Sequence, residues 1–228
     1  MHDRYVMLLT SLPHLGPLFE TRQTPISKPA LDRRLRALEP ADRAVLERVT
    51  GVLTWSRLGL DEPDARLVDR AEAVLRQIEH PTLRAAIVDR LELRTAVAAL
   101  RARRQGRPRP ATPTWGFGRT ARIATRRWDE PHLGLERLQR WLPEARTLLE
   151  AGDARGLERL ILGIVWRRLG RLAREHAFDL EAVVLYVLSW QIQDRWTRQD
   201  RAAATARFRT LDGSILEASP RPAELGDG

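Results

Sequence analysis

Apolar residues recur at helical spacing along most of this chain. The clearest run is Phe178–Trp196, FDLEAVVLYVLSWQIQDRW, in which apolar positions stand three and four residues apart. Leu185 and Trp190 occupy part of the remaining circumference, so the helix has to be covered from several sides. Asp179 is well placed to cap its N-terminus. The pattern predicts one central, buried helix.

The N-terminal half contains shorter stretches with the same period. Ser27–Pro29 predicts a helix start, Pro40 opens a second helix and Asp61 can cap a third. A fourth helix is predicted for Thr82–Leu100, which carries an apolar stripe. The run Tyr5–Leu9 is compatible with either a strand or a buried helical turn, because periodicity does not separate the two over so few residues.

In the C-terminal half the helical pattern resumes at Leu135 and again around Glu144. Asp153 is expected to cap a longer helix with a continuous apolar stripe. After the central helix, Arg201–Leu211 predicts a last helix that stops at Gly213, since glycine is common just past a helix end.

Proline and arginine interrupt the helices in the middle of the chain. The segment Arg101–Thr114, RARRQGRPRPATPT, contains three prolines, which exclude a regular helix and favour an extended backbone. The connections elsewhere are short, as between antiparallel helices. The sequence therefore predicts an all-α, multi-helix bundle, either single or in two subdomains. Its predicted parts are an N-terminal helical region (1–104), a basic proline-rich linker (105–114), a C-terminal helical region (115–213) and a disordered tail (214–228).

The formal net charge of +9 and the pI of about 11.2 leave two interpretations open. Basic proteins of this kind can bind nucleic acid, and the arginines of Arg101–Arg109 would supply the contacts. No aromatic residue that could stack on a base stands among them. Alternatively, the arginine stems cover helix surfaces and pair with the 30 acidic residues.

Two compositional features bear on the cellular location. The longest apolar runs, Leu160–Trp166 and Ala182–Leu188, are far shorter than the roughly 18 residues that a membrane-spanning helix needs. Cysteine is absent from the sequence, which excludes disulfides and thiolate chemistry. No secretory signal is recognisable at the N-terminus. These features predict a cytoplasmic protein.

No pattern in the sequence indicates a reaction. A phosphate-binding P-loop and a GxSxG elbow are both absent, and Gly116 and Gly118 form a GxG pair with no preceding strand. The five histidines show no HxxxH spacing. We therefore expect no catalytic residues, no cofactor and no metal site.

Seven tryptophans are unusual in a chain of 228 residues. Trp128 and Trp196 each directly follow an arginine, whose stem can stack on the indole. Both can be anchors for a partner protein or half-buried residues at helix ends. The predicted interface residues are Arg126, Arg127, Trp128, Arg195 and Trp196.

Four motifs carry a resemblance to a known family: YVMLLTSLPHL followed by PIS, RRWDEPHLGL, LERLILGIVWRRL and FDLEAVVLYVLSWQIQDRW. Together they resemble an uncharacterised bacterial family that is encoded among the genes of V/A-type ATPases. Members of that family are described as similar to the helical socket that joins the rotor ring to the central stalk of the ATPase. The resemblance extends from Tyr5 to about Leu211.

The resemblance implies a non-catalytic, all-helical accessory or central-stalk-like subunit that acts in assembly or mechanical coupling. Its partners would be V/A-type ATPase subunits of the central stalk or rotor. It would have no small-molecule substrate, and it would lie at the cytoplasmic face of the inner membrane only through those partners. The alternative is a basic, nucleic-acid-binding helical protein.

Overall fold

The computed structural model describes the backbone of residues 2–53 and 64–218, and the side chains of residues 3–53 and 68–199. Within these ranges all regular structure is helical, as the sequence predicts, and Tyr5–Leu9 belongs to a helix. The predicted cap Asp61 and the residues from Ser219 onward lie outside the described part. The helices are α1 (His2–Ser11), α2 (Lys28–Leu35), α3 (Pro40–Leu53), α4 (Asp64–Gln77), α5 (Pro81–Arg104), α6 (Gly118–Arg126), α7 (Leu142–Glu150), α8 (Ala154–Leu172) and α9 (Leu180–Ala218).

Four predicted helix starts are confirmed, three of them by side-chain caps. The Ser27 hydroxyl accepts a hydrogen bond from the third residue after it, and α3 begins at Pro40. Asp153 Oδ1 accepts from the amide of Gly156 at 2.7 Å, and Asp179 Oδ1 accepts from the amide of Ala182 at 2.8 Å. Each cap satisfies an amide that has no partner within its own helix.

The helix α5 lies at the centre of the packing. Between Leu91 and Leu100 it buries residues around its whole circumference, and it contacts α3, α4, α6, α7, α8 and α9. The first half of α9 is buried in the same way, as the sequence predicts, with Val183, Val184 and Leu185 fully enclosed. Two helices therefore share the central position that the sequence assigns to one.

The long connection between α1 and α2 is held by side chains of α9. The Tyr186 hydroxyl donates to the carbonyl of Pro13 at 2.8 Å, and Trp190 Nε1 donates to the carbonyl of Ile26 at 2.9 Å. Gln193 Nε2 donates to the carbonyl of Leu15. Because the three donors stand four and three positions apart, they lie on one face of α9. The irregular segment is thereby fixed against the core.

Two predicted helix boundaries are wrong. Residues 127–141 form successive turns, so no helix resumes at Leu135; Gln139 is buried there and accepts hydrogen bonds from Trp141 Nε1 and Arg168 Nη2, each at 2.8 Å. Gly213 does not end a helix either, because α9 continues to Ala218 and so includes the first residues assigned to the tail. A glycine inside a helix costs only about 1 kcal/mol relative to alanine.

The sequence does not predict helix α6, because no large apolar residue marks its buried face. Its buried face consists of Thr120, Ala121, Ala124 and Thr125, all of them small, and it lies against α5. Within the described ranges, no helix combines the length and the apolar composition that crossing a membrane requires.

Candidate functional site

Two adjoining hollows at the C-terminal end of α5 form the most prominent concave surface that we identify. The larger has a volume of about 380 Å³ and lies between α5, the α7–α8 junction, α8 and α9. The smaller, of about 170 Å³, extends toward the turn at Pro131 and shares Arg104 and Leu149 with the first. We call this surface the arginine groove; it is defined by Arg101, Arg103, Arg104, Leu149, Leu157 and Arg195.

The floor of the arginine groove is apolar and rigid. Leu157, Ile161 and Leu162 belong to the buried stripe of α8, and Leu149 comes from α7. The junction between the two helices is closed by Gly152, whose φ of +72° suits glycine because it has no Cβ. A rigid apolar floor loses little conformational entropy when a partner covers it.

The rim carries both paired and unpaired charges. Arg195 Nε donates to Glu158 Oε1 at 2.7 Å, and its Nη2 lies 2.7 Å from the same oxygen. Arg103 donates to the carbonyls of the 129–130 turn. Among the residues whose side chains are described, no carboxylate pairs with Arg101 or Arg104. These two guanidinium groups are free to meet an anionic partner.

Two buried arginines lie between α5 and α8. Burial, together with the nearby charge of Arg195, lowers the pKa of Arg90 to about 9. Burial also lowers the pKa of Arg168, which donates to the carbonyl of Asp89 at 3.2 Å. Both line a separate small hollow with Asp89 and Val165, apart from the arginine groove.

Of the predicted interface residues, Arg195 lies in the arginine groove, and its neighbour Trp196 packs behind it. Trp196 is only 6% exposed and meets Phe19 edge-to-face, with the ring centroids 5.0 Å apart. The guanidinium of Arg159 lies 4.6 Å from the centroid of Phe19. The Trp196 indole therefore belongs to this chain's own core, and its predicted part in an interface stays a prediction.

The other three predicted residues immediately precede the turn at residues 129–130. Arg126 and Arg127 are exposed, and Arg127 Nη1 lies 3.6 Å from Glu130 Oε2, in the turn that accepts hydrogen bonds from Arg103. Trp128 is 5% exposed and packs edge-to-face on Trp115 at 6.0 Å. The structure thus places Arg126 and Arg127 at the surface, before the turn that Arg103 contacts, and Trp128 beneath the surface.

The GxG pair serves packing between α5 and the segment before α6. A Cβ on Gly116 would stand 2.6 Å from Thr95 Cγ2, a distance that real Cβ atoms do not show. The amide of Phe117 donates to Thr95 Oγ1 at 2.9 Å. Gly116 is therefore needed for close approach of the backbone, which accounts for this glycine without a nucleotide.

Sequence reasoning missed the groove because it grouped Arg101, Arg103 and Arg104 with the proline-rich segment Arg101–Thr114, although it placed the linker itself at 105–114. They are in fact the last turn of α5, and the exposed loop begins at Gln105. Arginine in the last turn is favoured by the helix dipole, which was the available signal. The residues that face these arginines come from α7, α8 and α9, and no local pattern reveals that they meet.

Comparison of the chain with protein-family models, with curated proteins and with solved structures finds no match.

Proposed function

We propose that this chain is a non-catalytic helical subunit of a V/A-type ATPase that acts in assembly or mechanical coupling, and that it holds its partner in the arginine groove. The observation that carries the proposal is the groove itself. It combines a rigid apolar floor with Arg101 and Arg104, two cations without a carboxylate partner among the described residues.

The positions of the motifs that resemble the ATPase-associated family support the choice of the arginine groove as the binding surface. LERLILGIVWRRL is part of α8 and supplies the floor, and FDLEAVVLYVLSWQIQDRW supplies Arg195. RRWDEPHLGL contributes Pro131 to the smaller hollow. Three of the four motifs therefore meet at the groove, although they are far apart in the sequence.

The chemistry of the groove suits a helical segment of a partner protein that presents apolar residues flanked by carboxylates. The apolar residues would cover Leu149 and Leu157, and the carboxylates would meet Arg101 and Arg104. Arginine binds carboxylate groups through two parallel hydrogen bonds, which fixes the orientation of the partner as well as its affinity.

The test is co-purification of the tagged chain with the catalytic, stalk and rotor subunits of the ATPase from the same organism. We expect Arg101→Glu/Arg104→Glu to reduce recovery of those subunits about tenfold, or about 1.4 kcal/mol. The matched control is Arg171→Glu/Arg174→Glu, a pair with the same spacing that is exposed at the end of α8. Equal recovery with both variants, or no ATPase subunit in either, contradicts the proposal.

A nucleic-acid binding assay distinguishes the ATPase-subunit function from the alternative, a nucleic-acid-binding protein. Nonspecific binding through arginine weakens steeply as salt rises, because phosphate contacts release counterions. Sequence-selective binding that resists salt and is lost in Arg107→Gln/Arg109→Gln, two exposed arginines of the loop, would favour the nucleic-acid function.

A further inference from the structure

A cluster of histidines and carboxylates joins the N-terminal ends of α5 and α9, remote in sequence from the arginine groove. His80 Nδ1 lies 2.8 Å from Glu181 Oε1, and His176 Nδ1 lies 2.7 Å from Asp179 Oδ2. The proposed ATPase function makes no use of these four side chains. All of them are at least half-buried, with side-chain exposures between 15% and 42%.

The spacing of the cluster suits a single ion. One ligand atom of each of His176, Asp179 and Glu181 lies within 4.8 Å of the other two. Nitrogen and oxygen ligands stand about 2.0–2.2 Å from a tetrahedral zinc ion and so roughly 3.3–3.6 Å from one another. To bind the ion, the longest separations in the set would shorten by about 1 Å, and the 2.7 Å contact of His176 Nδ1 with Asp179 Oδ2 would widen. Side-chain rotation supplies such a shift without moving the helices.

The outward-facing atoms of the same side chains already have partners. His176 Nε2 lies 2.8 Å from Thr82 Oγ1, and the amide of Ala182 donates to Asp179 Oδ1 at 2.8 Å. Metal-binding histidines usually have their second ring nitrogen hydrogen-bonded in this way, which fixes the tautomer and aims the first nitrogen at the ion. The other nitrogen of His176, Nδ1, and the other oxygen of Asp179, Oδ2, face each other.

The surroundings are rich in carboxylate. The Tyr5 hydroxyl donates to Asp42 Oδ2 at 2.6 Å. Burial raises the pKa of Tyr5 well above its usual range, and the carboxylates of Asp42, Glu39 and Glu181 raise it further. Carboxylates that are partly removed from water favour a nearby cation, and Arg4 pairs with one of these three, Glu39.

We propose that His176, Asp179 and Glu181, with the adjacent His80 as the fourth ligand, bind one divalent transition-metal ion of the zinc type. Two imidazole nitrogens and two carboxylate oxygens form a ligand set that zinc accepts in tetrahedral geometry. The ion joins α5 to α9 at the ends opposite to the arginine groove. This inference is independent of the proposed function.

The decisive variant is Asp179→Asn/Glu181→Gln in the tag-free, full-length chain. Asparagine caps a helix as well as aspartate does, so α9 keeps its start while the anionic ligands are lost. Asp153→Asn is the matched control, because it changes the same residue type at another helix cap. His176→Gln removes one of the two nitrogen ligands, His80→Gln/His176→Gln removes both, and His132→Gln is the control.

Each protein is freed of metal with a chelator and titrated with Zn²⁺ against a chromophoric competitor. We expect one ion per chain, and an affinity at least about 10–100-fold weaker in Asp179→Asn/Glu181→Gln and in His176→Gln than in the controls. Co²⁺ should give a visible absorption band that His176→Gln weakens and His80→Gln/His176→Gln abolishes. Thermal unfolding in the chelator shows that the variants are folded.

Zinc binding that is equal in the cluster variants and the controls overturns the proposal, as does the absence of a one-to-one complex in the unaltered chain. A Co²⁺ band that persists in His80→Gln/His176→Gln also overturns it, because the nitrogen would then come from a histidine outside the cluster.

Discussion

At the N-terminal end of α5, polar side chains satisfy one another, whereas at its C-terminal end two arginines face outward. The Thr82 hydroxyl pairs with His176, and His80 pairs with Glu181, at the start of α9. At the other end, Arg104 rims an apolar hollow with no carboxylate partner among the described side chains. Since the two ends belong to one helix, the difference separates residues that hold the fold from residues that are available to a partner.

The largest expected change in stability is at Trp196, and it tests whether this residue belongs to the core behind the groove or to its rim. Trp196→Ala removes a buried indole that packs on Phe19, so we expect a loss of about 3–5 kcal/mol in the free energy of unfolding. Urea denaturation followed by circular dichroism measures it. The control Met7→Ala, at a side chain 68% exposed, should change stability by no more than about 0.5 kcal/mol. A loss below about 1 kcal/mol would place Trp196 in the rim.

An intermediate effect is expected at the N-terminal end. Thr82→Val keeps the shape of the side chain but removes the hydroxyl that pairs with the half-buried His176 ring, which should cost about 1–3 kcal/mol. The measurement is denaturation in the presence of a chelator. Thr10→Val is the control, because its hydroxyl is exposed and bonds only to backbone carbonyls of its own helix. If the two variants are equally stable, the contacts at this end do not hold the fold.

The smallest effect is expected at the rim. Arg101→Gln/Arg104→Gln should leave the free energy of unfolding within about 0.5 kcal/mol, because neither side chain pairs with a described carboxylate. The same denaturation experiment measures it, and the recovery of ATPase subunits is compared in parallel. A loss above about 1 kcal/mol would show that these arginines stabilise α5, and the contrast between the two ends would disappear.

The parts of the fold that the sequence predicts depend on neighbouring residues. The caps at Ser27, Asp153 and Asp179 act within three positions, and the apolar stripes repeat within each helix, so both are visible in a short window. Helix α6 was missed because its buried face is made of small residues whose burial depends on α5. The turns around Leu135 were predicted as a helix. The buried Gln139 in this segment accepts a hydrogen bond from Arg168, which is 29 positions away and so lies outside any local pattern.

The two candidate sites have the same limitation. In the histidine–carboxylate cluster, His176, Asp179 and Glu181 lie in the single segment 176–181, so their spacing is visible in the sequence; His80, which is 101 positions from Glu181, is brought to them only by the fold. The arginine groove brings Arg101 together with α8 and Arg195. The sequence shows that arginines stand beside Trp128 and Trp196, but it does not show that the two indoles are buried. Their burial depends on contacts with Trp115 and Phe19, respectively.

The hydrogen bonds from α9 to the segment between α1 and α2 constrain the order in which the chain folds. Tyr186, Trp190 and Gln193 are separated from their acceptors by 173, 164 and 178 residues. At a synthesis rate of about 5–20 residues per second, this segment waits roughly 8–36 s for the partners that fix it. Contacts of such high contact order also form slowly, since a long loop must close first. The segment between α1 and α2 is therefore synthesised long before the residues that fix it, and it is among the last to reach its final position.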